Sequence, residues 1–270
     1  MHAKSRSTPR SLRRMIGYCL VLRVALGLAS ATSADSAPLP PSITTAPLSV
    51  DQVVNNLIGK DIERSQALRH YESNRVYRLS YRGFPGDREA GMTVDATYDS
   101  PDTKSFKITS QTGSKLVIDR VFKRLLDSEK EAAQPEMHAR TLLNRDNYDF
   151  VLTGYESSEK GNQYVLAVYP KTKSKYLYRG KVWVDATDFA VTRIDAEPAL
   201  NPSFWTKKSE IRHDYMKVQN FWLPRRNESV SYIRLGGKAT LTIEYNDYRV
   251  VNARASESDA KAAVPVEGKR

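Results

Sequence analysis

The sequence predicts a mainly β, α+β protein: a single, strongly curved antiparallel sheet of about ten strands, with an N-terminal helix and an inserted helix covering its concave face. Three observations predict it. Over 75–110 and again over 148–250, short runs of alternating apolar residues are broken by turn residues. Two stretches, 49–68 and 116–134, repeat apolar residues at spacings of three and four instead. No regular strand–helix–strand alternation is present, which argues against a doubly wound parallel sheet.

The elements follow in order. Residues 35–48 contain four prolines and read as an extended linker. Ser49 opens the first helix with Gln52 as capping-box partner, and Val50, Val53, Val54, Leu57 and Ile58 fall at helical spacing. Three strands come next, Arg75–Phe84, Ala90–Tyr98 and Lys104–Ser110, too closely connected for a crossover. The first ends in the turn Gly83-Phe84-Pro85-Gly86. The period then changes: Leu116, Ile118, Val121, Phe122, Leu125 and Leu126 form an apolar stripe, with Asp119, Arg120, Lys123 and Arg124 opposite, ending before Pro135. Seven further strands follow, at Tyr148–Glu156, Gln163–Tyr169, Lys175–Asp185, Phe189–Glu197, Lys208–Val218, Arg226–Leu235 and Lys238–Val250. Gly236-Gly237 joins the last two as a tight hairpin. The tail, 252–270, has little to bury and reads as disordered.

Residues 1–34 read as a secretory signal. Six basic residues (Lys4, Arg6, Arg10, Arg13, Arg14, Arg23) and no acid accompany the apolar run from Met15 to Leu28, and Ala31 or Ala34 would end the cleavage site. Arg23 interrupts that run, and a start at Met15 is the alternative. The run is too short for a bilayer helix, and Cys19 lacks the preceding pattern of a lipid-anchored cysteine. The expectation is an exported protein of the periplasm or cell envelope, with 49–251 as its folded domain. Of 42 Lys and Arg, the leader holds six, leaving 36 against 31 Asp and Glu. That mild, mixed excess does not point to nucleic acid. Cys19 is the only cysteine, so the exported chain would have no disulfide, thiolate nucleophile or cysteine zinc site.

Catalytic patterns are lacking. His70, His138 and His213 are isolated in sequence, and no nucleophile elbow or phosphate loop occurs. Asp185 and Asp188 flank a turn, where aspartate serves the backbone. No enzyme activity, cofactor or metal is expected. The fifteen tyrosines sit largely on strands. They suit a half-buried pleated surface, or alternatively the rim of a wide apolar cavity between sheet and helices. Alternation places Tyr148, Phe150 and Leu152 on one face of their strand, and Tyr164, Leu166 and Val168 on one face of the next. These six, with Phe122 of the inserted helix, are the candidate cavity-lining residues.

A longer pattern joins these elements. Tyr148-Asp149-Phe150-Val151-Leu152-Thr153-Gly154 is followed by Tyr164–Tyr169 ending in Pro170-Lys171, then by Val182-Trp183-Val184-Asp185 and Phe189–Ile194, and later by Asn220-Phe221-Trp222-Leu223-Pro224. Over roughly residues 49–250 this resembles the periplasmic outer-membrane lipoprotein-sorting family, the half-barrel fold group of LolA-, LolB- and RseB-like proteins. The resemblance implies a half-barrel whose concave face, closed by helices, holds acyl chains. The partners it implies are lipid acyl chains or lipoproteins. An RseB-like envelope-stress sensor that binds a membrane protein is the alternative. Carriers of this group latch their lid with an arginine; Arg225 and Arg226 are candidates without a register.

Overall fold

The computed structural model describes residues 46–252 apart from 159–160, 202–203, 205 and 235; the expected signal at 1–34, most of the expected linker at 35–48 and the expected disordered tail lie outside the described residues. Its ten strands form one open antiparallel sheet, curved but not closed, as expected.

Helix α1 (Val50–Ala67) begins with the predicted capping box: Gln52 N–H donates to Ser49 Oγ, and Ser49 N–H to Gln52 Oε1 at 2.9 Å. Strand β1 (Leu68–Arg82) follows without a loop, longer than alternation predicts. Strands β2 (Arg88–Asp99) and β3 (Thr103–Gly113) complete the first meander. The inserted helical segment comprises α2 (Lys115–Val117), a π-helical turn (Ile118–Phe122), α3 (Lys123–Ala133) and the short α4 (Pro135–Ala139). Strands β4 (Tyr148–Ser158), β5 (Gly161–Pro170), β6 (Tyr178–Asp185), β7 (Val191–Pro198), β8 (Thr206–Val218), β9 (Phe221–Ile233) and β10 (Lys238–Asn252) follow as hairpin neighbours.

The last strand returns to pair with the first, so the order is β3-β2-β1-β10-β9-β8-β7-β6-β5-β4. Both edge strands flank the helical insertion, which therefore connects one edge of the sheet to the other. Register shifts in β1, β2, β4, β6, β7 and β8 pairings supply the bends that curve a sheet. At Gly180 the strands approach so closely that an added Cβ would lie 2.2 Å from the Asp195 carbonyl oxygen.

Two apolar clusters share the helix-covered face. Beneath α1, Val53, Val54 and Leu57 pack with Tyr148, Tyr164, Leu166, Val168, Val182, Val184 and Ile194. Ala46 and Leu48, at the end of the predicted linker, also pack there. Beneath the inserted helix, Val117, Ile118, Phe122 and Leu126 pack with Tyr77, Leu79, Met92, Val94, Ile243 and Tyr245.

Candidate functional site

The two faces of the sheet differ in chemistry. Along β1, Tyr71, Ser73, Arg75, Tyr77 and Leu79 are buried in strict alternation and face the helices, which turns Val76 to the other side. The face away from the helices carries a ladder of charges, with Arg193 and Arg212 on Asp195, Lys208 between Glu197 and Glu210, and Arg226 between Glu228 and Glu244. It has a shallow depression of about 700 Å³ walled by Tyr169, Arg179, Lys181, Glu210, Arg212 and Glu228. An acyl chain there would desolvate charges, so the apolar helix-covered face is the candidate site.

The structure brings six of the seven sequence-predicted residues together. Tyr148, Tyr164, Leu166 and Val168 are buried beneath α1, and Phe150 and Leu152 pack partly buried against them. Phe122 lies apart, fully buried in the second cluster with its ring centroid 5.9 Å from that of Tyr77. The first six lie beneath α1, whereas Phe122 belongs to the inserted segment and packs on the sheet.

One charged group breaks the apolar character of this face. Arg75 of β1 is only 2% exposed. Its Nη1 donates to Glu129 Oε2 of α3 at 2.8 Å. The guanidinium lies 4.9 Å from the Tyr245 ring and 5.3 Å from the Phe106 ring. Lys104 of β3 stands 3.8 Å from the same carboxylate. Burial alone would lower the Arg75 pKa, but Glu129 and the surrounding tyrosines outweigh it and hold the group charged. Burial pushes the Tyr77 phenol up to about 12 and raises Tyr71 and Tyr245 as well, so the rings meet the cation as neutral π faces. The inserted helix is therefore clamped to the sheet by one buried ion pair in an aromatic box.

The sequence does not reveal this clamp, because its halves can be told from surface charges only once the phase of β1 and the facing helix are fixed. Arg75 falls on the inward phase Tyr71-Ser73-Arg75-Tyr77-Leu79. Glu129 falls four and three residues into the Phe122-Leu126-Glu129 series, on the apolar stripe of its helix. Once the two faces pack together, pairing offsets the desolvation of both charges. Of the candidates Arg225 and Arg226, Arg226 pairs with Glu228 and Glu244 on the outer ladder.

Between the two clusters the inner face turns polar. Ser209 and Ser231 share a hydrogen bond at 2.9 Å across β8 and β9, Asn227 donates to the Tyr245 hydroxyl at 2.9 Å, and His213 is half-buried. Burial lowers the His213 pKa, and Asp214 opposes this more weakly. Burial raises the phenols of Tyr178 and Tyr215, the latter to about 12. Among the described residues no three His, Cys, Asp or Glu come together to hold a metal ion.

The architecture is that of an open antiparallel half-barrel with helices over one face. No family model matches the chain, and no curated protein matches it. Solved structures of low identity are similar to it. A DUF1329 family protein from Desulfovibrio piger has a TM-score of 0.39 at 14% identity, covering 74% of this chain and 92% of that one. A putative outer membrane lipoprotein-sorting protein domain from Vibrio parahaemolyticus has a TM-score of 0.38 at 10% identity, covering 78% and 99%. A LolA superfamily protein from Nitrosomonas europaea has a TM-score of 0.34 at 10% identity, covering 76% and 94%.

Proposed function

We propose that this protein is an exported binding protein of the lipoprotein-sorting type, holding acyl chains between its sheet and its inserted helix, with no chemistry performed on them. The observation that carries the reading is the Arg75–Glu129 clamp. An ordinary core helix needs no buried charge, because apolar replacement of such a pair is neutral or stabilising. A helix meant to be held and then released gains from a single strong, geometry-dependent contact.

In this reading the clamped arrangement is the closed state. Release of Glu129 frees α3 to swing about the π-helical turn at Ile118–Phe122, a type of irregularity common at functional sites. Acyl chain then replaces Phe122 and Leu126 against Tyr77, Met92 and Val94. Each buried methylene contributes about 0.8 kcal/mol, so ten methylenes offset roughly 8 kcal/mol of opening. Tyr148, Phe150, Leu152, Tyr164, Leu166 and Val168 form the deeper apolar wall beneath α1. Residues 1–34 direct export, and 49–251 form the binding domain.

Titration of the purified protein with a long-chain fluorescent fatty acid and with a lipopeptide tests the reading. Long chains should bind better than short ones. Arg75→Met, which destabilises only the closed state, should bind them more tightly than the wild type. If neither probe binds the wild type, the acyl reading fails, and retention of an envelope membrane protein, the sensor alternative, becomes the assay to run.

A further inference from the structure

The strand directions place four turns at one rim of the sheet: β1–β2, β5–β6, β7–β8 and β9–β10, together with the start of the inserted helix. The two most exposed large apolar side chains of the described residues, Phe204 at 73% and Phe84 at 71%, both stand there. Leu200 and Leu116, at 49% and 47%, stand beside them on the β7–β8 loop and the first turn of α2. Exposed cations surround them: Arg88, Lys115, Lys207, Arg234 and Lys238, none in an ion pair among the described residues. Of the nearby acids, Asp87 and Glu89 are engaged by Arg82, and Asp119, one turn beyond Lys115, is engaged by Lys123. The turns of the opposite rim carry Asp99, Asp102, Asp185 and Asp188, with His70 on Asp99 and Lys217 on Asp188.

The tips are held as one platform. The Tyr81 hydroxyl reaches the carbonyl oxygens of Phe84 at 2.6 Å and Gly236 at 3.3 Å, which joins the β1–β2 and β9–β10 turns. The Arg234 guanidinium lies 5.1 Å from the Phe204 ring, which joins the β9–β10 turn to the β7–β8 loop.

We propose that this rim docks the protein on an anionic lipid bilayer, with Phe84, Phe204, Leu116 and Leu200 entering the headgroup layer and the cations pairing with lipid phosphates. Apolar tips flanked by cations match an interface that is apolar a few ångströms beneath a negative surface. The rings stand on separate loops, so a soft planar partner accommodates them together where a rigid protein surface would need a matching pocket for each. The inference is independent of whether the concave face holds acyl chain.

The test uses the full chain carrying Cys19→Ser and one new cysteine, Phe84→Cys, labelled with an environment-sensitive fluorophore. A second protein is labelled through Ser100→Cys on the opposite rim. On phosphatidylglycerol-containing vesicles the label at 84 should shift to the blue and the label at 100 should not. Pure phosphatidylcholine should give little shift, and added salt should reverse it. Exchanging Lys115, Arg234 and Lys238 for Glu should weaken binding by about fivefold or more for each cation lost. These positions are exposed, so circular dichroism should remain that of the wild type. A silent label at 84 while the protein still sediments with vesicles places binding elsewhere, the leader included, and overturns the proposal. So does an equal response to neutral and anionic vesicles. Salt-sensitive binding of an acidic polypeptide with no vesicle response makes the rim a protein-docking face and equally overturns it.

Discussion

Removing the two halves of the clamp should have unequal effects. Arg75 has 3% of its side chain exposed, whereas Glu129 has 28%. Glu129→Gln leaves the guanidinium enclosed by Tyr245 and Phe106 without a counter-charge, and loss of one partner of a buried pair costs about 3–5 kcal/mol. The partial exposure of Glu129, and the residual hydrogen bond a glutamine can offer, reduce this to about 2–3 kcal/mol. Arg75→Met leaves Glu129 free to turn to water or to Lys104, now 3.8 Å away, while the methionine keeps most of the apolar contact. That change should cost about 1 kcal/mol or less. The double variant should resemble Arg75→Met, giving a coupling of about 2 kcal/mol. Urea denaturation with an unchanged slope measures all three. Hydrogen exchange over 115–133 should rise in Glu129→Gln more than in α1. Equal and additive losses in the two single variants would refute the clamp and leave apolar packing as the whole hold on the helix.

Other consequences are quicker to check. Phe122→Ala should lower stability by about 3–5 kcal/mol and Leu166→Ala by about 2–5; because the two lie in separate clusters, their effects should add within about 0.5 kcal/mol. Gly180→Ala should destabilise by about 1–3 kcal/mol, since its Cβ would meet Asp195 O at 2.2 Å and Ala196 Cα at 2.5 Å. Burial holds His213 below its ordinary 6.5, so the unfolded chain takes up the proton first and stability falls as pH drops below about 6.5 towards the folded value. His213→Gln should flatten that part of a melting-temperature profile, and an unchanged slope would remove His213 as its source. Export predicts an N-terminus just after Ala31 or Ala34 in protein from the cell envelope, whereas an intact Met1 or Met15 in a cytosolic fraction would end that reading.

The order of elements was legible because each one repeats a simple period. The Ser49–Gln52 box and the stripe through Phe122 and Leu126 stand where periodicity and capping chemistry put them, whereas the last hairpin is wider than the two-residue turn expected, because β9 already ends at Ile233 and β10 begins at Lys238. The grouping of Tyr148, Phe150, Leu152, Tyr164, Leu166 and Val168 was also legible, since alternation fixes a common face and β4 pairs directly with β5. Three things were hidden. The phase of β1 was ambiguous because Val76 and Tyr77 are both apolar neighbours; only pairing of Tyr77 with Ile243 and Met92 settles it. The return of β10 to β1 is a contact between chain ends that no local pattern encodes. The clamp joins Arg75 to a residue 54 positions away, and each half looks like an ordinary surface charge until the facing element is known.

The two helical covers are secured differently, and this decides where an opening would occur. Helix α1 is fixed along its length: the capping box at its start, Arg145 on Asp51 at 2.7 Å, and Arg64 donating to the carbonyls of Asp188 and Phe189 at 2.9 and 3.0 Å. Those last contacts tie its C-terminal turn to the β6–β7 hairpin. The inserted segment has a weaker frame. Its first helix is three residues, no side chain caps α2 or α3, and a π-helical turn separates them. Beyond apolar packing, Arg75 and Lys104 on Glu129 are its main polar ties to the sheet, with Tyr176 reaching Glu131 at 3.2 Å. Opening free energy follows the number of contacts that must break together. Motion therefore falls on α3, uncovering the surface around Tyr77, Met92 and Val94 first. In the acyl-binding reading proposed above, the cluster of Tyr148, Leu166 and Val168 stays sealed under α1 while α3 opens.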